Sequence, residues 1–204
     1  MRLSAAGLAE LRRTEGVIAQ VYDDATGRVV SSWEQVKGFP TIALGRLIQP
    51  ADRPRFERYL GGRDKLVGAE LDQVIRETIE PRERQLTSLV TGTTTQGQFD
   101  ALFSMMFNTG AGNKTFKAAL AAHNAGNAAE AARLIGAGTV TSKGQVVAGL
   151  VRRRAREAAA YASAAGSALA SNPFPMFAIL TTAVAGYLAL RWWRARHPLP
   201  RSAP

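Results

Sequence analysis

The chain has 204 residues, 26 basic and 16 acidic side chains, a formal charge of +10 and 46% hydrophobic residues. That composition is globular, with room for one sizeable core, and its basic balance suits polyanions such as nucleic acid, anionic lipid or an acidic wall polymer. With no cysteine and only two distant histidines, His123 and His197, a disulfide scaffold, a thiolate nucleophile and a Cys or His-rich metal site are excluded, and no phosphate-binding glycine loop supports nucleotide chemistry.

In chain order, Leu3, Leu8 and Leu11 predict a short amphipathic helix ending near Thr14. No continuous apolar stretch precedes Arg12 and Arg13, so this segment does not read as a signal peptide. Residues 17–48 alternate short β-prone runs with Asp, Gly and Pro punctuation: Val17, Val21 and Tyr22 lead into Asp23-Asp24-Ala25-Thr26-Gly27, then come Val29-Val30 and Phe39 to Gly45. They predict a small antiparallel sheet, the only strand-like part of the chain.

From about Asp52 the pattern is helical. Leu71, Val74, Ile75, Thr78 and Ile79 fall on one helix face, and Pro81, lacking an amide donor, should kink or end that helix. Gln98 to Phe107 is apolar on most sides, as a buried core helix would be, and further helices follow over Asn113–Asn124, Ala128–Ile135 and Val146–Tyr161.

No charged residue lies between Glu157 and Arg191. Ala158–Ala170 reads as helix or linker. Phe174–Leu190, 17 mostly apolar residues followed by Trp192 and Trp193 with arginine on both sides, has the ending of a membrane segment and is at the short end of what spans a hydrocarbon core of about 30 Å. The expected organisation is a catalytic domain over 1–162, an Ala/Ser-rich linker over 163–173, a membrane-spanning or membrane-binding helix over 174–193 and a basic tail over 194–204.

Glu15, just past the first helix, and Asp24, in the first strand turn, are candidate catalytic carboxylates. Glycosidic hydrolysis needs one acid that stays protonated and one that stays ionised. Apolar walls around a carboxyl at a helix end would disfavour its charged form. Taken alone, the spacing also suits an ordinary surface Glu and a turn Asp.

The string Glu15-Gly16 with Tyr22-Asp23-Asp24-Ala25-Thr26-Gly27, followed by Pro40-Thr41-Ile42-Ala43-Leu44-Gly45, resembles the phage-type lysozymes, the endolysin muramidases of glycoside hydrolase family 24. Gln98 to Leu102 with Phe107-Asn108-Thr109-Gly110 looks like that family's central helix. Asn124-Ala125-Gly126 is similar to its late turn, and Gly149-Leu150-Val151-Arg152-Arg153-Arg154 to its C-terminal segment. The matches run in order across residues 8–161.

The resemblance implies an α+β, mainly helical, lysozyme-like fold: a small β-containing N-terminal lobe and a larger helical lobe joined by a long helix, here the one through Leu71–Ile79. A C-terminal membrane-type helix would be an addition. It also implies cleavage of the β-1,4 bond between N-acetylmuramic acid and N-acetylglucosamine in bacterial peptidoglycan, without metal or cofactor. By position, Glu15 would be the general acid. Asp24 would position or activate water or support the oxocarbenium-like state, and Thr41 would hold that water. Phe107, Asn108 and Arg46 would contact substrate.

Departures from the family pattern are an insertion around Ser31–Lys37, Ala43 in place of a glycine and Arg46 in place of the usual histidine. The Arg152–Arg156 run suits either a patch for the anionic wall or a solvated helix face.

The expected protein is a monomer that binds peptidoglycan and no nucleic acid. It would associate with the host cell membrane and act on the periplasmic wall, with the orientation of its C-terminal segment open. The alternatives are a non-enzymatic wall-binding or membrane-permeabilising lysis protein and a lytic transglycosylase.

Overall fold

A computed structural model describes residues 1–62, 64–142 and 145–170. The C-terminal segment read as a membrane helix therefore lies outside the described residues, as does the basic tail. Among the described residues no helix is long and apolar enough to cross a membrane.

The first helix, α1 (Ala5–Glu15), starts where the Ser4 hydroxyl accepts the Gly7 amide and stops at Gly16, whose φ of 76° turns the chain while its amide donates to the Arg12 carbonyl. Strands β1 (Ile18–Asp23), β2 (Arg28–Val29), β3 (Pro40–Ala43) and β4 (Arg46–Leu47) follow, forming an antiparallel sheet of order β2-β1-β3-β4. Tyr22 lies opposite Thr41 and Asp23 opposite Pro40. The insertion predicted around Ser31–Lys37 holds a single turn of 3-10 helix, Trp33–Gln35, fixed by the Trp33 indole donating to Glu57 at 2.5 Å.

After a short helix, α2 (Arg53–Phe56), comes α3 (Gly68–Leu89), which packs against β3 and β4 at one part and against α4 (Gln96–Thr109) at another. It is the helix expected to join the sheet region to the helical region. Val74, Ile75, Thr78 and Ile79 are buried as their spacing predicts. Pro81 does not end it. The Pro81 ring is exposed, and anchors on both sides hold the helix through the missing bond: buried Ile75 and Ile79 before it, then Leu86 and Glu83, whose carboxylate accepts the Leu3 amide at 2.7 Å.

The α4 helix begins with a reciprocal cap between Thr95 and Gln98 and is buried from Ala101 to Met106. Its rings Phe99, Phe103 and Phe107 step along the core at 6.4 and 6.0 Å. Truncating fully buried Phe103 to alanine should cost about 3–5 kcal/mol. Helices α5 (Lys114–Asn124) and α6 (Ala128–Gly136) are capped by Asn113 and Asn127. A two-stranded hairpin, β5 (Thr141–Ser142) with β6 (Gln145–Val146), then corrects the expectation that strands are confined to residues 17–48. It also delays α7 (Ala148–Ala170), which was expected from Val146. Residues 163–170, read as linker or helix, are helix, and the first compact unit of the chain ends at Ala164.

Candidate active site

Glu15 is the last residue of α1, with its side chain 24% exposed. The apolar wall expected around it is replaced by a guanidinium: Arg153 Nη1 donates to Glu15 Oε1 at 2.5 Å. Arg153, on α7, is itself buried. Its Nε donates to Glu157 at 3.0 Å and its Nη2 to the Ser104 carbonyl at 3.0 Å. The Ser104 hydroxyl also donates to Glu157 at 2.6 Å, and Arg154 adds a third contact to that carboxylate at 3.0 Å. Burial pushes the Glu157 carboxyl up from its ordinary range despite these donors, and pulls Arg154 down. Arg82 is drawn down by burial and partly restored by the field of Glu15. Glu15 thus closes a cluster of arginines rather than a hydrophobic pocket.

Asp24 is exposed and follows β1 directly. Its backbone and side chain both engage Phe39: the Asp24 amide donates to the Phe39 carbonyl at 3.1 Å, and the Phe39 amide donates to Asp24 Oδ1 at 2.6 Å. Gly38 lets the chain pass close to this carboxylate: a Cβ there would lie 2.3 Å from Asp24 Oδ1 and would displace it. The neighbouring Asp23 is buried. The Gly38 amide first, then the Thr26 hydroxyl and the Ala25 amide, hold its carboxyl below the usual carboxylate range. Two successive aspartates therefore fasten the end of the insertion to the turn that carries Asp24.

Thr41 is buried on β3, and its hydroxyl donates to the Phe39 carbonyl at 3.1 Å, which leaves its oxygen able to accept. The Thr26 hydroxyl, by contrast, is committed to Asp23 at 2.9 Å. Opposite residues of an antiparallel pair share a face, so Thr41 lies beside Tyr22. The half-buried Tyr22 phenol is raised first by burial and then by the negative fields of both Asp24 and Glu15. Through Tyr22 the three residues Glu15, Asp24 and Thr41 share one neighbourhood.

The three candidate substrate contacts lie in other settings. Phe107 is half-buried at the end of α4, with Arg82 stacked 4.8 Å over its ring. Asn108 is exposed and accepts from Arg154 at 3.3 Å, while Gly110 serves as the helix cap. Arg46 forms two ion pairs, with Asp52 and Glu77, each at 2.9 Å, tying β4 to α3. Sequence reasoning did not single out Arg153, Glu157, Ser104 or Tyr22 for the site. The spacing of Arg153 and Glu157, one helical turn apart, is the one signal that points to a buried pair. Among the described residues no cluster of three or more His, Cys, Asp or Glu could hold a metal ion.

The family model described as phage lysozyme matches residues 12–157. An endolysin from Escherichia coli O157:H7 phage FAHEc1 is 27% identical with a TM-score of 0.56, over 79% of this chain and 93% of its own. The muramidase domain of SpmX from Asticaccaulis excentricus is 27% identical with a TM-score of 0.58, over 78% and 97%. A mutant of P22 lysozyme is 25% identical with a TM-score of 0.60, over 79% and 99%. No curated protein sequence matches the chain.

Proposed function

Because the chain belongs to the phage lysozyme family, a family of wall-cleaving glycosidases, we propose that it is an endolysin that hydrolyses the β-1,4 bond between N-acetylmuramic acid and N-acetylglucosamine and so lyses bacterial cells. The observation that carries this reading is the convergence of the Glu15 and Asp24 fields on Tyr22, in register with Thr41. Two carboxylates with distinct surroundings, one paired with a guanidinium and one exposed in a turn, suit an acid-assisted glycosidic cleavage.

In this reading Glu15 gives its proton to the leaving oxygen. Protonating Glu15 does not strand Arg153, because Glu157 still accepts from that guanidinium at 3.0 Å. Asp24, exposed and held by the Phe39 amide, supports positive charge on the sugar or directs the attacking water. The Thr41 oxygen accepts a hydrogen bond from that water. Phe107 and Asn108, at the end of α4, would meet the sugar chain. Arg46 would reach it only by giving up an ion pair.

The test uses purified wall free of membrane. The wild type should release new reducing ends, and its fragments should be one water heavier than the anhydro ends left by a lytic transglycosylase. Glu15→Gln should lose at least about a hundredfold in rate while remaining folded, the scale of a lost general acid. Wall clearing that persists in this variant overturns the assignment, and lysis without new ends means a non-enzymatic agent. Membrane attachment through Phe174–Leu190 rests on the charge-free run alone, and fractionation of the full chain against a chain ending at Ser171 tests it.

A further inference from the structure

We infer that a cavity among α1, α4 and α7 binds a short primary alkylammonium, with the charged end between Asp100 and Glu157. The cavity holds about 340 Å³, room for a small ligand. Its apolar walls are Ala6 and Gly7 of α1, Gly97 and Ala101 of α4, and Ala160 of α7. At Gly7 a Cβ would lie 2.7 Å from the Asp100 carboxyl carbon, and at Gly97 one would lie 2.6 Å from that of Ala164. Side chains no larger than methyl thus let the three helices meet closely and leave a hollow that longer ones would fill.

The polar atoms of the lining decide what the hollow takes. Glu157 faces it with a side chain only 6% exposed. One oxygen, Oε1, collects every donor the protein offers: the Ser104 hydroxyl at 2.6 Å, Arg153 Nε at 3.0 Å and Arg154 Nη2 at 3.0 Å. The other, Oε2, is buried and accepts no hydrogen bond from the described residues. Such an oxygen carries its desolvation cost unrelieved. Asp100 is the second carboxylate of the lining. It accepts from the Ser4 amide and hydroxyl and from Gln96, all uncharged, and makes no ion pair among the described residues. Ser104, which bonds Glu157, follows Asp100 by one turn of α4, so the two carboxylates are about one helical turn apart along the cavity.

The single cation among the lining residues, Arg156, is paired with Glu10 at 3.2 Å. The cavity therefore offers a ligand acceptors rather than donors. An ammonium brings three donors and one positive charge, and a short alkyl chain matches the alanine walls. An anion would meet two carboxylates, and a hydrocarbon would leave Oε2 as it is.

The experiment titrates n-butylammonium chloride into the full chain at neutral pH and constant ionic strength, following the methyl resonances of Ala6, Ala101 and Ala160. Saturable shifts are expected, with a Kd of about 10 mM or tighter, the scale for a ligand of five heavy atoms. Uncharged n-butanol should bind at least about tenfold more weakly. Shifts that do not saturate overturn the site, and so does an alcohol that binds as well as the amine, since that describes an apolar hollow alone. Glu157→Gln disturbs Arg153 and Arg154, so the charge is tested with Asp100→Asn, whose amide can keep the Ser4 contacts. This variant should weaken butylammonium about tenfold and leave butanol unchanged; an unchanged amine overturns the inference. Ala160→Leu, at an exposed position of α7, fills the cavity and should weaken both ligands while the melting temperature stays within a few degrees of wild type. Undiminished binding there overturns the location. A free amine and a lysine side chain share this chemistry. Binding of Nα-acetyl-lysinamide equal to that of butylammonium supports the site with a lysine as occupant, and binding of butylammonium alone supports it with a free amine. None of these readouts involves turnover, so the site stands or falls apart from the hydrolase reading.

Discussion

Glu15 and Arg153, 138 positions apart in the chain, are joined by a 2.5 Å hydrogen bond. The bond ties the C-terminal end of α1 to the first turns of α7. It makes the orientation of the proposed acid a property of the tertiary fold rather than of its own helix. It also couples that acid to a buried group, since Arg153 carries Glu157 and Ser104 on its remaining nitrogens.

Arg153→Ala should therefore fail in two ways. Glu157 and Arg153 are each 6% exposed, and removing one partner leaves the carboxylate with Arg154 and the Ser104 hydroxyl alone. Breaking such a buried pair costs about 3 kcal/mol or more, read as a lower urea midpoint. Under conditions where the variant is still folded, wall clearing should fall at least about tenfold because Glu15 has lost its only hydrogen-bond donor among the described residues. Arg153→Lys should recover stability more than rate, since an ammonium supplies charge without the planar fork.

Gly38→Ala separates position from stability. The added methyl would meet the Asp24 carboxylate at 2.3 Å and the Ala25 Cβ at 2.8 Å. The carboxylate can swing away, losing the Phe39 amide, and the Ala25 methyl, which has no such freedom, is relieved by a small shift of the exposed turn that carries it. The expected result is a melting temperature within a few degrees of wild type and a rate at least about tenfold lower. A variant of full activity would show that Asp24 need not be where the structure puts it.

These contacts mark the limit of what the residues reveal in order. Helix α4 is legible because Phe99, Leu102, Phe103 and Met106 repeat at helical spacing with further apolar residues between them. The sheet is legible from its turn residues. Three successive arginines followed by Ala, Arg and Glu look like a solvated face, yet Arg153 and Arg154 are buried and Arg152 is exposed. The cause is Glu157 on the same helix and Ser104 on another, and only the first is visible locally. The β5–β6 hairpin, with two residues per strand, is too short to carry an alternation. Helix α3 crosses Pro81 because of contacts made elsewhere, which propensity does not encode.

His123 gives the folded state an acid-sensitive element. It is buried between Thr94 and Tyr161, at 2.7 and 2.6 Å. The Thr94 hydroxyl donates to the Gly92 carbonyl, so it accepts from the imidazole Nε2–H, and Tyr161 donates to Nδ1. Burial pushes the Tyr161 phenol up to about 12, so that donor keeps its proton. Burial also lowers the pKa of His123 below its ordinary value of about 6.5. The unfolded chain then binds more protons than the folded one once pH drops below about 6.5. Unfolding free energy should fall with acidification, by up to about 1.4 kcal/mol per pH unit from this group. Glu157, whose carboxyl is raised, contributes with the opposite sign above its unfolded value, so the comparison must be with His123→Gln. The difference between the two proteins should shrink as pH falls from 7.5 to 5.5; a constant difference rejects the buried neutral imidazole.

Ala43 is the departure from the family pattern with a backbone consequence. It has a φ of 54°, the only non-glycine residue with positive φ among the described residues, and it is buried two positions beyond Thr41. A left-handed L-residue costs about 1–2 kcal/mol, which glycine would relieve. Glycine would also forfeit a buried methyl, about 0.8 kcal/mol, and add chain entropy of about 0.4–1 kcal/mol to the unfolded state. Ala43→Gly should therefore lie within about 1 kcal/mol of wild type. Ala43→Val meets every penalty together: a β-branched side chain in the left-handed region and two further methyl groups in a filled core, worth more than about 2 kcal/mol. Because β3 pairs Thr41 with Tyr22, the repacking should also disturb the proposed water site, so Ala43→Val should lose rate as well as stability while Ala43→Gly keeps both. A valine variant as stable as wild type in urea would mean that the chain does not turn left-handed at this position.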